Sequence, residues 1–132
     1  MDELQPIETK HELLVPIFDC RLQLIVTSNI QASRKAQEYL FGPIGNEPIY
    51  DALCSRSGGH NFALFFEQSE LSKGLTKNVV AHEIFHLTHR ILEWVGCPFR
   101  SDNHEVFACL NGYLHTWVYS KIGNLITNER ST

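Results

Sequence analysis

The sequence predicts an α+β fold, a short β-sheet with helices packed on one side of it. Residues 21–27 and Asn61–Glu67 are short runs rich in β-branched and aromatic side chains, the pattern of strands. Residues 76–95 instead repeat apolar side chains at the three- and four-residue spacing of a helix, and 103–122 form a second helical run. The resulting order is β–α–β–β–α–α.

Residues 1–19 carry few order signals, and Pro6 and Pro16 interrupt regular elements, so this stretch is expected to be weakly ordered. The run 21–27 alternates and then turns β-branched, a strand. Ser28 or Asn29 can cap the amphipathic helix expected over 31–40. Gly42-Pro43 and Gly45-Asn46 mark a loop, and 49–55 is expected to be a short strand before the flexible Ser57-Gly58-Gly59. In Asn61–Glu67, Phe62 and Phe66 share one face. This strand is either a core strand or a sheet edge at which an extended peptide adds. Residues 69–77 lead into the first long helix, which Thr76 caps, Gly96 ends and Pro98 stops. Gly123 ends the last helix and leaves 124–132 as a flexible tail.

At 132 residues the chain is expected to be a single domain. Its 43% hydrophobic and 20% charged residues are the balance of a soluble globular protein. The formal charge of −4 leaves no basic footprint, so nucleic acid is not an expected partner. No apolar run approaches membrane-spanning length, and no membrane partner is expected. Met1-Asp2-Glu3-Leu4-Gln5-Pro6 lacks the basic and apolar regions of a signal peptide, so the expected location is cytoplasmic. Cys20, Cys54, Cys97 and Cys109 are too scattered for a CxxC knuckle and are expected to be reduced thiols.

The chemistry concentrates in His82-Glu83-Ile84-Phe85-His86, an HExxH motif on the first long helix. Two histidines four residues apart project from one helical face, so both imidazoles can reach one ion. Glu83 lies about 100° around the axis, beside rather than on that ion, where a carboxylate can act as general base on a metal-bound water. Val80, Ile84, Leu87, Ile91, Leu92 and Val95 fall on one arc, with Val79 and Phe85 near its margins. The two histidines occupy the opposite side, within roughly 40° of each other.

A catalytic zinc takes three protein ligands and keeps one open position. The HExxHxxGxxH pattern fails, because His89 stands at the glycine position and Leu92 at the histidine position. The other source is a glutamate on the next helix. Ser101-Asp102-Asn103-His104-Glu105 offers one, and Gly96-Cys97-Pro98 supplies the turn that would bring that helix back antiparallel. Asp102-x-x-Glu105 is also a capping-box pattern, with Ser101 as the alternative cap, so Glu105 is either ligand or cap.

Ala81-His82-Glu83-Ile84-Phe85-His86 followed by Asp102-Asn103-His104-Glu105 resembles the layout of the glutamate-zincin (gluzincin) metallopeptidases. The run from Ala81 to Val118 resembles small phage and prophage proteins that carry AHE-x-x-H and then DN-x-E before an apolar helix. More distantly it is similar to the ImmA/IrrE peptidases. The resemblance covers less than a third of the chain. It implies a small zincin-like domain with HExxH on a central helix and an antiparallel C-terminal helix. It also implies His82, His86 and Glu105 as ligands of Zn2+ and Glu83 as base. Many gluzincins place an aspartate four residues after the ligand glutamate, and here that position is Cys109.

Around this centre, Asp102 is a candidate to orient a ligand histidine through its free ring nitrogen. His89 lies one turn beyond His86 on the histidine face, for substrate contact or structure. His60, His104 and His115 are expected to be solvated or satisfied locally, and one of them, or Tyr113 or Tyr119, is the candidate oxyanion donor. The expected function is a zinc-dependent metallopeptidase in which Glu83 activates a zinc-bound water to cleave a peptide bond. Its partner would be a peptide or protein substrate, including a host or phage regulator. The alternative is a phage or prophage accessory binding protein whose metal site is structural or catalytically silent.

Overall fold

The computed structural model describes residues 8–16, 18–30, 52–57, 61–68, 75–97 and 100–126, and they form an α+β fold. Strands β1 (Glu8–Val15), β2 (Cys20–Thr27), β3 (Ala52–Ser57) and β4 (Asn61–Glu67) make a mixed sheet in the order β1-β2-β4-β3. Helices α1 (Lys77–Trp94) and α2 (His104–Ile122) follow, then a 3-10 turn, Gly123–Leu125. The amphipathic helix expected over 31–40 lies outside the described residues.

β1 corrects the expectation of a weakly ordered 1–19 over Glu8–Val15, and 1–7 lie outside the described residues. Its Lys10, Glu12 and Leu14 face solvent while Leu13 is half-buried and Val15 buried, so the alternation is mostly among polar side chains and gives little local signal. The strand is held by antiparallel pairing with β2, Glu8 opposite Thr27 through Val15 opposite Cys20. Asp19 takes the left-handed conformation (φ 52°) in the turn between them, which aspartate tolerates better than most residues.

β4 is an interior strand, parallel to β2 on one side and antiparallel to β3 on the other. Asn61–Glu67 is thus the core strand of the two expected alternatives and not a sheet edge. β2 and β4 register Leu22 with Phe62, Leu24 with Leu64 and Val26 with Phe66, all buried on one face. Val80, Ile84, Leu87, Ile91 and Leu92 of α1 and Phe107, Leu110, Leu114, Val118 and Ile122 of α2 join that face in one core. The opposite face is also buried at its centre, where Ile25 and Phe65 pack with Ile30.

α1 begins where the sequence places it. The Thr76 hydroxyl accepts from the Val79 amide at 3.3 Å, a side-chain N-cap. The helix ends in a Schellman motif: Gly96 adopts φ 82°, its amide donates to Glu93 O, and the Cys97 amide donates to Leu92 O at 2.8 Å. Of the expected apolar arc only Val95 is exposed, because it has become the C-cap. Thr88 takes a buried place among the aliphatics. Its hydroxyl lies 2.8 Å from Ile84 O and 3.0 Å from the Asn111 carboxamide, so one polar link crosses between α1 and α2. α2 ends at Ile122, but 124–126 are not a loose tail. Leu125 and Ile126 pack against the core, and 127–132 lie outside the described residues.

Candidate metal centre

Local geometry places the motif. With Ile84, Leu87 and Ile91 locked under the sheet, His82 and His86 are turned to solvent on the far side of α1. Their Nε2 atoms face each other at 3.1 Å, and the rings meet edge-on at 78°. Two imidazoles on one tetrahedral zinc at about 2.05 Å would stand about 3.3 Å apart. The pair is already near that spacing.

Glu83 differs from the histidines in its surroundings. Its side chain is only 13% exposed, against 66% for His82, and its Oε2 lies 3.9 Å from His82 Nε2. A carboxylate sheltered beside an exposed imidazole pair is the arrangement the motif predicts. Phe85 links this centre to α2, its ring 6.3 Å from that of His86 and 5.1 Å from that of Phe107.

Glu105 stands elsewhere. It lines an apolar cavity of about 470 Å³ with Val15, Pro16, Phe18, Val106, Cys109, Leu110 and Tyr113. Among the described residues, no group of three or more His, Cys, Asp or Glu side chains stands close enough to hold a metal ion. The rotation of α2 explains the separation. Its buried stripe, Phe107, Leu110, Leu114, Val118 and Ile122, is centred about 160° round the helix from Glu105, so seating the stripe turns Glu105 away. That stripe was present in the sequence and was the signal for the direction of Glu105.

The capping alternatives also resolve. The N-cap of α2 is Asn103, neither Ser101 nor Asp102, and it makes no side-chain cap bond. Its Oδ1 accepts from the Arg100 amide at 2.8 Å, and its Nδ2 lies 3.7 Å from Cys97 Sγ. Asp102 is exposed and paired with Arg100 at 3.2 Å. His104 Nδ1 lies 3.0 Å from Ser101 O.

Of the remaining candidates, His89 lines a recess with His86, Arg90 and Glu93. Tyr113 belongs to the apolar cavity, whereas His115 stacks on Tyr119 at 6.3 Å. His60 lies outside the described residues. Glu93 received no role from the sequence, although it continues the histidine face one turn beyond His89.

Burial lowers the His115 pKa below its ordinary 6.5. The folded chain therefore prefers neutral imidazole, and the unfolded chain takes up the proton first as pH falls. This group's stabilising contribution is complete above pH 6.5 and is lost as pH drops from there through the lower folded value. His115→Gln is expected to flatten the fall in melting temperature between about pH 7 and 5. Unchanged pH dependence in the variant would refute the assignment.

The described cysteines Cys20, Cys97 and Cys109 are free thiols. Burial, with the charge of Asp19 adding to it, pushes the Cys20 thiol up to about 11. At pH 8 an alkylating reagent is expected to label exposed Cys109 in the native protein and Cys20 only after denaturation. Peptide mass mapping with and without denaturant checks this.

No described helix is long and apolar enough to cross a membrane. The chain matches no protein-family model, no curated protein and no solved structure.

Proposed function

We propose that this chain is a zinc-dependent metallopeptidase of zincin-like architecture, with HExxH on its central helix. The observation that carries the reading is the facing pair of Nε2 atoms at 3.1 Å with the sheltered Glu83 carboxylate beside them. The donor set suits zinc: two imidazoles presented on one face, with open solvent in front for substrate. His82 and His86 would hold the ion. Glu105 is the carboxylate proposed to complete the set, which requires the first turn of α2 to reorient from the cavity wall. Zinc supplies Lewis acidity, polarising a substrate carbonyl and making water acidic near neutral pH.

The chain's own residues account for the rest. Glu83 takes a proton from water and returns it to the leaving amine, and its partial burial keeps it close to that proton path. Phe85, against Phe107, walls the centre on the α2 side. An extended peptide would add along β3, which ends the described sheet and packs on α1.

A second reading is favoured by the apolar cavity between α2 and the β1–β2 turn. An accessory binding protein would use that cavity for a partner and keep the histidine pair for structure or leave it silent.

Metal content by mass spectrometry, with hydrolysis of an unfolded labelled protein, tests both. The peptidase reading expects zinc that is lost in His82→Ala and Glu105→Ala, together with hydrolysis. Zinc without hydrolysis favours the accessory reading. Zinc retained in Glu105→Ala removes Glu105 from the ligand set.

A further inference from the structure

The apolar cavity lies between the N-terminal half of α2 and the turn that joins β1 to β2, and it opens to solvent. Its volume of about 470 Å³ is within the range of small-molecule sites. Val15 and Leu110 are buried and close its floor, while Val106 and Tyr113, 40% and 42% exposed, stand at its rim. Apolar surface left open to water in a concave site is surface that a ligand can cover at a gain.

Glu105 adds a charge to this site. The lining is almost wholly apolar, yet Glu105 belongs to it and is exposed, so its methylenes form wall and its carboxylate stands at the mouth. Among the described residues that carboxylate has no ion-pair or hydrogen-bond partner, and no Lys or Arg lines the cavity. Asp19, next in the chain to Phe18 of the lining, brings a second exposed carboxylate to the same turn.

We propose that this cavity binds a small amphipathic amine, with its hydrocarbon body in the cavity and its ammonium group at the Glu105 carboxylate. The hydrocarbon gains by leaving water. The ammonium group meets its partner at the mouth, still hydrated, and so avoids the desolvation penalty of a buried ion pair. An anionic amphiphile of the same length meets a like charge at that mouth and is disfavoured. The site needs Glu105 where the structure places it, on the cavity wall, and does not rest on the metal reading.

Titration of the full chain with n-octylamine, n-octanol and octanoate at low salt, followed by ligand-observed NMR, tests the class of ligand. Cys109 is a free, exposed thiol on the cavity wall, and its rate of labelling by iodoacetamide locates the ligand. The amine is expected to bind about fivefold tighter than the alcohol, the scale of an exposed ion pair, with octanoate weaker than both. It is also expected to slow the labelling of Cys109. Glu105→Gln is expected to bring amine and alcohol to within about twofold of each other while both still bind. Val106→Trp, which fills the cavity from an exposed position, is expected to abolish binding of both. Circular dichroism confirms that the two variants fold. Equal affinity for amine and alcohol in the native chain, or a preference that persists in Glu105→Gln, overturns the amine assignment. Amine that leaves Cys109 labelling unchanged, or that still binds Val106→Trp, sits elsewhere on this acidic chain and overturns the site, as does the absence of amine binding.

Discussion

Glu83→Gln is expected to lower hydrolysis of an unfolded protein substrate by about 100- to 10,000-fold, the range for removing a positioned general base. Zinc content is expected to stay at the native value. Glutamine matches glutamate in size and fits the same sheltered position, but it cannot accept a proton. The contrast is with His82→Ala, which is expected to lose the ion held by the motif histidines and the activity together. Activity that survives in Glu83→Gln would assign the base elsewhere. Loss of zinc in the same variant would make Glu83 a ligand or a structural prop.

Ile84→Ala is expected to destabilise the fold by about 2–5 kcal/mol, the cost of emptying a closed aliphatic site. Ile84 is fully buried between α1 and the β2–β4 face, and it sits in the middle of the HExxH sequence pointing away from the histidines. Thermal unfolding should show a drop in midpoint of about 10 °C. Leu14→Ala is the control: Leu14 is 64% exposed on β1, and surface truncations of this kind change stability by about 0.5 kcal/mol or less. Equal effects from the two variants would mean that Ile84 does not hold the face that aims the motif.

Much of the fold was legible because local pattern and tertiary role agreed. Asn61–Glu67 is a strand at the expected residues, and Thr76 and Gly96 bound α1 where their side-chain and backbone chemistry required. β1 was illegible because its order comes from a partner strand and not from its own alternation. Whether β4 lay at an edge or in the interior was illegible too, since β2 flanks it from 40 positions upstream, Arg21 opposite Asn61. For the site, the helical period was enough to set the histidines side by side and the glutamate between faces. It did not bring Glu105 to them. Sequence separation states how far along α2 that carboxylate lies, whereas its direction is decided by the apolar stripe that the core accepts.

The order of strands has a consequence for how the chain is made. β1 and β2 are joined by a tight turn and can pair as soon as both leave the ribosome, a local event of microseconds. The other flank of β2 must wait for β4, whose synthesis follows that of β3. During that interval Leu24, Ile25 and Val26 form an uncovered apolar edge, the kind of surface that sticks to other nascent chains. Docking of β4 is a long-range parallel closure, and such closures dominate folding times. The slow step of folding therefore falls in the sheet, and α1 acquires the support that aims its histidines only after that step is complete.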